Sequence, residues 1–359
     1  MIANSDTFAF SIDIDKYDVA IFPLLCLLDE AKENAKREIK NCTGEKVYRE
    51  IGNMTFEVLS VGTRNYAFIL HNDMYEIQLA RYRSKNEYVY PVFVRIKSET
   101  LWSKGFYGAY QFIEQWIKKN IGVITTTKIS RADLCCHTDS IRLNIEDIQR
   151  LKTRSREKNV HFSDKALSSM NFGSRSTQRV YCRIYNKSLE IAKKKNKLWF
   201  NDIWEKHGLN IHNVWNVEYE LNRDFFVEYE IDTVNDFIEK IKNIWTYLTL
   251  EWLTLMNLDA SRLERCSINE AWRRLCSVFD SFKGSSLVRR IKQMNKDADA
   301  MIPQILGCLS SFASKCGKKD FKGAIDTLAF RGYDYLFDVK STTFDMEIKR
   351  KRLLLDNLS

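Results

Sequence analysis

Proline is almost absent from this 359-residue chain, at three residues, and glycine is sparse at thirteen. Flexible or polyproline linkers are thereby excluded, and the chain reads as continuously folded. Apolar runs are short: the stretch from Val19 to Leu28 falls well below the ~20 residues that cross a bilayer, so no membrane span is expected. Asp6, Asp13 and Asp15 interrupt the opening residues, which lack the basic-then-apolar order of a secretory leader, and a cytoplasmic location is expected. The five histidines, His71, His137, His161, His207 and His212, include no His-hydrophobic-His pair. The nine cysteines are odd in number and lack C-x-x-C spacing, which fits reduced thiols and not a disulfide frame. Cys135, Cys136 and His137 are adjacent, without the chelating loop of a zinc site, so buried strand cysteines are expected there.

Aromatic residues, by contrast, are plentiful at 13%, and the 45% hydrophobic content is that of an ordinary globular protein. A large, ring-rich core follows. The formal charge of +9 suits a polyanion partner without requiring one.

Period-two alternation dominates the first two thirds of the chain. Phe8, Phe10, Ile12 and Ile14 share one strand face, opposite Ser11, Asp13 and Asp15, with Asp13 read as a solvated edge carboxylate. A helix is expected over 19–40, an antiparallel meander over 47–96 and an amphipathic helix over 101–121 covering that sheet. Tyr82, Tyr88, Tyr90 and Arg95 are candidates for base contacts, weighed against sheet packing. A short helix is expected at 144–154, and a basic one over 187–206 carrying Lys193, Lys194 and Lys195. Beyond Asp232 the texture turns helical, with helices expected over 234–258, 269–282, 285–295, 301–315, 320–330 and 343–357 and basic faces from Arg273, Arg274, Arg289, Arg290 and Lys292. The domain boundary is placed near 231, giving domains 1–231 and 232–359.

Three strands carry chemistry. In residues 171–190, Arg179, Tyr181, Arg183, Tyr185 and Lys187 alternate with Val180, Cys182 and Ile184. In 125–139, Arg131, Asp133 and Cys135 share a face, and in 214–224 Asn216, Glu218, Glu220 and Asn222 form a polar ladder. Like charges two apart on a strand repel unless a cation compensates them. If the three faces line one cleft, Asp133, Glu218 and Glu220 supply hard oxygen ligands suited to Mg²⁺ or Mn²⁺. Tyr185 or Tyr181 is then the nucleophile, and Arg131, Arg179, Arg183 and Lys187 bind an anion.

In order along the chain, Asp-Thr-Phe-Ala-Phe-Ser near the start, Ile-Ser-Arg-Ala-Asp at 129–133, the segment 173–187 ending in Arg-Ile-Tyr-Asn-Lys, and Val-Glu-Tyr-Glu-Leu-Asn-Arg-Asp at 217–224 resemble the Rep_trans family. That family comprises rolling-circle replication initiation factors and related relaxases of integrative conjugative elements. The resemblance covers about residues 1–230. It implies an α+β fold: a nuclease domain with an HUH-like central antiparallel sheet flanked by helices. The all-helical C-terminal domain expected from the pattern after Asp232 lies outside the resemblance, with DNA binding, dimerisation or partner contact as its candidate roles. The resemblance implies a metal-dependent nickase that attacks one strand of an origin with a tyrosine, leaving a 5′-phosphotyrosine link and a free 3′-OH. By the same resemblance Tyr185 is the nucleophile, flanked by Arg183 and Lys187, and Asp133, Glu218 and Glu220 are the metal ligands. Arg131, Arg175, Arg179, Lys193, Lys194 and Lys195 are expected to hold the DNA. Origin DNA with an exposed single strand is the expected partner, with a homodimer and a helicase or conjugation partner as candidates. The competing readings are a tyrosine recombinase, against which the mid-chain strand position of Tyr185 stands, and a non-catalytic nucleic-acid-binding module whose aromatics stack bases.

Overall fold

Alternation in the sequence becomes one eleven-stranded antiparallel sheet in the computed structural model, which describes all residues except 43–44, 164–165, 176–178, 283–284, 286, 288–298, 341 and 357–359. Its strands are β1 (Ile2–Ile14), β2 (Tyr48–Ile51), β3 (Met54–Val58), β4 (Phe68–His71), β5 (Tyr75–Leu79), β6 (Val92–Ile96), β7 (Ile124–Thr138), β9 (Lys158–Ser163), β10 (Ala166–Phe172), β11 (Val180–Asn186) and β12 (Trp215–Asn222). They lie in the order β2-β3-β4-β5-β6-β1-β7-β12-β11-β10-β9. The two long strands β1 and β7 form the middle, pairing from Ile2 opposite His137 to Ile14 opposite Ile124. β8 (Leu151–Thr153) and β13 (Leu253–Leu255) make a separate two-stranded sheet.

Helices connect and follow the strands. In order they are α1 (Tyr17–Ala20), α2 (Phe22–Lys40), α3 (Ser98–Lys104), α4 (Phe106–Asn120), α5 (Lys187–Lys194), α6 (Phe200–Lys206), α7 (Arg223–Glu228), α8 (Val234–Tyr247) and α9 (Glu270–Cys276), then α10 (Ile302–Lys315), α11 (Phe321–Asp334) and α12 (Phe344–Asp356). Phe8 packs edge-on against Phe106 of α4 at 4.6 Å and stacks on Phe237 of α8 at 5.5 Å; Phe10 meets Tyr110 and Tyr219 meets Trp245. Each such buried ring contributes about 1.5–3 kcal/mol by leaving water. α8 starts at a capping box in which Thr233 and Asp236 satisfy each other's backbone N–H groups, and it buries Val234, Phe237, Ile241, Ile244 and Trp245.

That apolar stripe is why the sheet does not end its domain near residue 231. The chain divides into compact units at Met1–Arg290 and Ile291–Ser359, and α8 and α9 belong to the first. Trp245 Nε1 donates to the Leu275 carbonyl and Trp272 Nε1 to that of Thr249, at 2.9 Å each. The region after 232 is also not wholly helical, because β13 pairs with β8 and Met256 bridges Ile268. The second unit contains α10, α11 and α12. The expected helix over 285–295, with Arg289, Arg290 and Lys292, falls largely outside the described residues. Other expected helices are shorter than their sequence patterns: within 234–258 α8 ends at Tyr247, and within 269–282 α9 ends at Cys276. Residues 145–150 form a 3-10 turn capped by Asn144 and Asp147, and the 187–206 helix breaks where Lys195 and Lys197 take left-handed φ of 51° and 54°.

Candidate active site

Register brings the three polar strands onto one face. Opposite one another across β7, β12 and β11 stand Asp133, Glu220 and Tyr181, then Cys135, Glu218 and Arg183, then His137, Asn216 and Tyr185. β1 joins this face through an irregularity: pairing passes from Ser5 opposite Leu134 to Phe8 opposite Ala132, so two residues, Asp6 and Thr7, oppose the single Asp133. Bulges of this kind re-aim side chains.

Tyr185 lies at the centre. Its hydroxyl donates to Glu218 Oε2 at 2.9 Å and accepts from Lys187 Nζ and Asn216 Nδ2, each at 3.0 Å. Asn216 Nδ2 also lies 3.1 Å from Glu218 Oε2, and Arg183 holds Glu218 Oε1. The guanidinium of Arg183 and the ammonium of Lys187 sit 5.2 and 5.1 Å from the Tyr185 ring centre. Only 7% of Tyr185 is exposed. Burial, with Glu218 and Asp6 nearby, pushes the phenol well above its ordinary value.

Lys187, 2% exposed, is anchored by Glu190 at 3.0 Å and by Asp6 at 3.7 Å. Asp6 in turn accepts from Ser98 Oγ at 3.0 Å and Trp102 Nε1 at 2.8 Å. Burial alone would raise the Asp6 carboxyl; Lys187, Lys197 and the Trp102 hydrogen bond outweigh it and hold the group at about 2. Burial likewise opposes the charge on Lys187, yet Asp6, Glu190 and Glu218 hold its pKa above the ordinary value. A buried cation therefore touches the phenol oxygen.

The remaining carboxylates are ion-paired. Arg131 grips Asp133 with two 2.8 Å bonds and reaches Glu220 at 2.9 Å, while Arg175 reaches Glu220 at 3.1 Å and lies 5.0 Å from the Tyr181 ring centre. The side chains of Arg131, Arg175 and Arg183 are 38%, 52% and 32% exposed, so the cationic rim of the face is open to solvent. Burial, together with Glu218 and Glu220, raises Asp133 to about 7 despite Arg131. Arg179 turns aside to Glu228 of α7. Lys193, Lys194 and Lys195 are exposed around the end of α5, with Lys194 paired to Glu190 at 2.8 Å. Asp13 is held by Arg83 at 2.6 Å and by Thr125, a structural role. Tyr82 and Tyr88 are exposed, and Lys128 lies over the Tyr90 ring.

Two groups of side chains are candidates for a metal. Asp133, Glu218 and Glu220 fit a hard divalent cation by donor chemistry, in the places where Arg131, Arg175 and Arg183 now hold them. Among the described residues, the ligand atoms that converge within 4.8 Å of one another belong instead to Asp6, Cys135 and His137. That second set fits poorly. His137 Nδ1 accepts from Trp204 Nε1 at 3.0 Å, whereas a metal-bound imidazole donates through its other nitrogen. The Cys135 thiol donates to the Asn4 carbonyl at 3.4 Å, and Lys187 already faces Asp6.

Sequence reasoning gave no role to Asp6, Glu190, Asn216 or His137. Asp6 precedes the alternation read from Phe8 and has its even-numbered parity, so extending that pattern puts it on the apolar face, and only the bulge turns it to the polar one. Glu190 was readable as the i+3 partner of Lys187 on a helix.

The sequence matches no protein-family model and no curated protein. Among solved structures, the chain is similar to a rolling circle replication initiator protein from Geobacillus stearothermophilus, with a TM-score of 0.44 and 10% identity over 80% of this chain and 99% of that one.

Proposed function

We propose that the chain is a DNA nicking-closing protein that attacks one strand of an origin with Tyr185. The observation that carries this reading is the phenol of Tyr185 donating to Glu218 while accepting from Lys187 and Asn216. A packing tyrosine needs one partner for its hydroxyl; this one has an acceptor for its proton and two donors for the charge left behind. The bond formed is Oη–P and the bond broken is P–O3′. The phenol proton passes to Glu218 Oε2, and the 3′ oxygen leaves with a proton from solvent. The products are a 5′-phosphotyrosine and a free 3′-OH, and the retained ester allows religation.

Arg183 couples binding to attack. It lies over the Tyr185 ring and on Glu218 Oε1, so a phosphate that draws it away uncovers the phenol and leaves Glu218 more basic. In this reading Arg131 and Arg175 on the open rim, with Lys193, Lys194 and Lys195 at the end of α5, take the flanking phosphates of a single strand, a role supported by their exposure. A Mg²⁺ or Mn²⁺ ion held by Asp133, Glu218 and Glu220 would polarise the scissile phosphate. Replication initiation and conjugative transfer both need this one chemistry, and a second copy of the chain, a helicase or a conjugation partner would act downstream of it.

Incubation with supercoiled origin plasmid and Mn²⁺ tests the reading. Wild-type protein gives nicked circles and a covalent protein-DNA adduct, and Tyr185→Phe abolishes both while DNA binding stays within about twofold. Nicking without an adduct would exclude tyrosine attack, and retention of both products by Tyr185→Phe would transfer the role to Tyr181, which is partly exposed on the same face. A non-catalytic binding module would retain the DNA and give neither product.

A further inference from the structure

Two buried polar atoms without a hydrogen-bond partner, Asn216 Oδ1 and His137 Nε2, belong to residues that stand directly opposite each other on β12 and β7. Their side chains leave the same face of the sheet, about 5 Å apart at Cβ. The tautomer makes them complementary. Trp204 Nε1 can only donate, and it points at His137 Nδ1, so the neutral ring carries its proton on Nε2. Full burial holds the imidazole pKa down at about 3 and keeps the ring neutral. A buried donor and a buried acceptor, each without a partner, thus stand on cross-strand neighbours.

A hydrogen bond from His137 Nε2–H to Asn216 Oδ1 would fix which way the amide points. With Oδ1 toward the His137 N–H, Nδ2 is turned to the other side, 3.0 Å from Tyr185 Oη and 3.1 Å from Glu218 Oε2. The opposite amide orientation would set an acceptor against Glu218 and a donor against the His137 donor. Lys187 also touches the phenol oxygen, but its charge is shared with Glu190 and Asp6. The amide is the neighbouring donor that no carboxylate other than Glu218 draws upon.

We infer that Asn216 is a catalytic residue of the tyrosine transfer, donating a hydrogen bond that strengthens as charge develops on Tyr185 Oη, and that His137 is a positioning residue that fixes its amide. The inference rests on the nicking-closing reading. Asn216 makes and breaks no covalent bond. It stabilises Oη while the proton passes to Glu218 and the Oη–P bond forms, and again when that bond breaks and Tyr185 becomes the leaving group on religation. Removing it therefore slows both directions.

The test is the single-turnover rate of adduct formation on supercoiled origin plasmid with Mn²⁺, alongside equilibrium binding of the same DNA without metal. Asn216→Ala is expected to lower the rate about 10²- to 10³-fold, the loss typical of one donor to a developing oxyanion, with binding within about twofold. Asn216→Leu, which fills the volume and removes the donor without adding a carboxyl beside Glu218, is expected to lose at least as much, so the result does not depend on tolerance of a cavity. His137→Phe is expected to slow adduct formation about tenfold, and His137→Gln, which restores an N–H at the ε position, to recover most of that loss. Wild-type rates in both Asn216 variants overturn the catalytic role, and equal losses in His137→Phe and His137→Gln overturn the positioning role. If the wild-type protein itself forms no adduct, the nicking-closing reading falls and takes this inference with it; adduct from wild type and from Asn216→Ala at equal rates overturns the inference alone.

Discussion

Along the polar face, charges alternate residue by residue: Asp6, Lys187, the Tyr185 phenol, Glu218 and Arg183 form a line in which each group is held by the next. Such a line is sensitive at its neutral members, because a neutral group that gains a proton disturbs charges on either side. His137 is the test case. Its folded pKa of about 3 lies below the ordinary 6.5, so between those values the unfolded chain binds the proton and the folded one does not. The stability it contributes is complete above about pH 6.5 and is lost as pH falls toward 3, a total of up to about 5 kcal/mol. Urea unfolding at pH 7 and pH 4 is expected to show this fall in the wild type and a smaller fall in His137→Gln. Equal falls in the two proteins would place the acid sensitivity elsewhere.

Strands were the elements most legible in the sequence, since one face of each is buried and period two has to be written into the residues. The three chemical strands and the meander over 47–96 were readable for that reason. Where the period breaks, reading failed. The bulge in β1 reverses parity before Phe8 and hid Asp6, and the left-handed Lys195 and Lys197 split a helix whose apolar spacing alone reads as continuous. Alternation also could not separate Tyr181 from Tyr185, which share a face; only the side chains above them differ, with Arg175 over one ring and Lys187 on the other's oxygen. Helix α8 was legible as a helix and misplaced as the start of a new domain, because a sequence shows an apolar stripe without showing what it covers. Phe237, stacked on Phe8 and close to Phe106 and Phe226, measures that attachment. Phe237→Ala is expected to cost about 3–5 kcal/mol in urea unfolding of the sheet unit. A loss below about 1 kcal/mol would mean that α8 packs independently.

For the whole molecule, the compact units end at 290 and begin again at 291. A fragment of residues 1–290 is therefore expected to unfold in one cooperative step and to keep adduct formation, whereas a fragment of residues 1–231 exposes the inner sheet face and aggregates. Cooperative unfolding of the shorter fragment, followed by tryptophan fluorescence, would restore the boundary near 231. The position of β1 governs how this unit comes together. It is the first strand of the chain and the central one of the sheet, and Ser5 Oγ bonds the carbonyl of Asp133, 128 positions away. Contacts of such long range close slowly. During synthesis Phe8, Phe10 and Ile12 must wait for β7 before they can be fully enclosed, and Tyr185 must wait longer, since Asn216 and Glu218 come from β12. Chains that stop short of residue 222 therefore lack the complete set of partners around the Tyr185 hydroxyl, which the fold assembles only after β12 has been made.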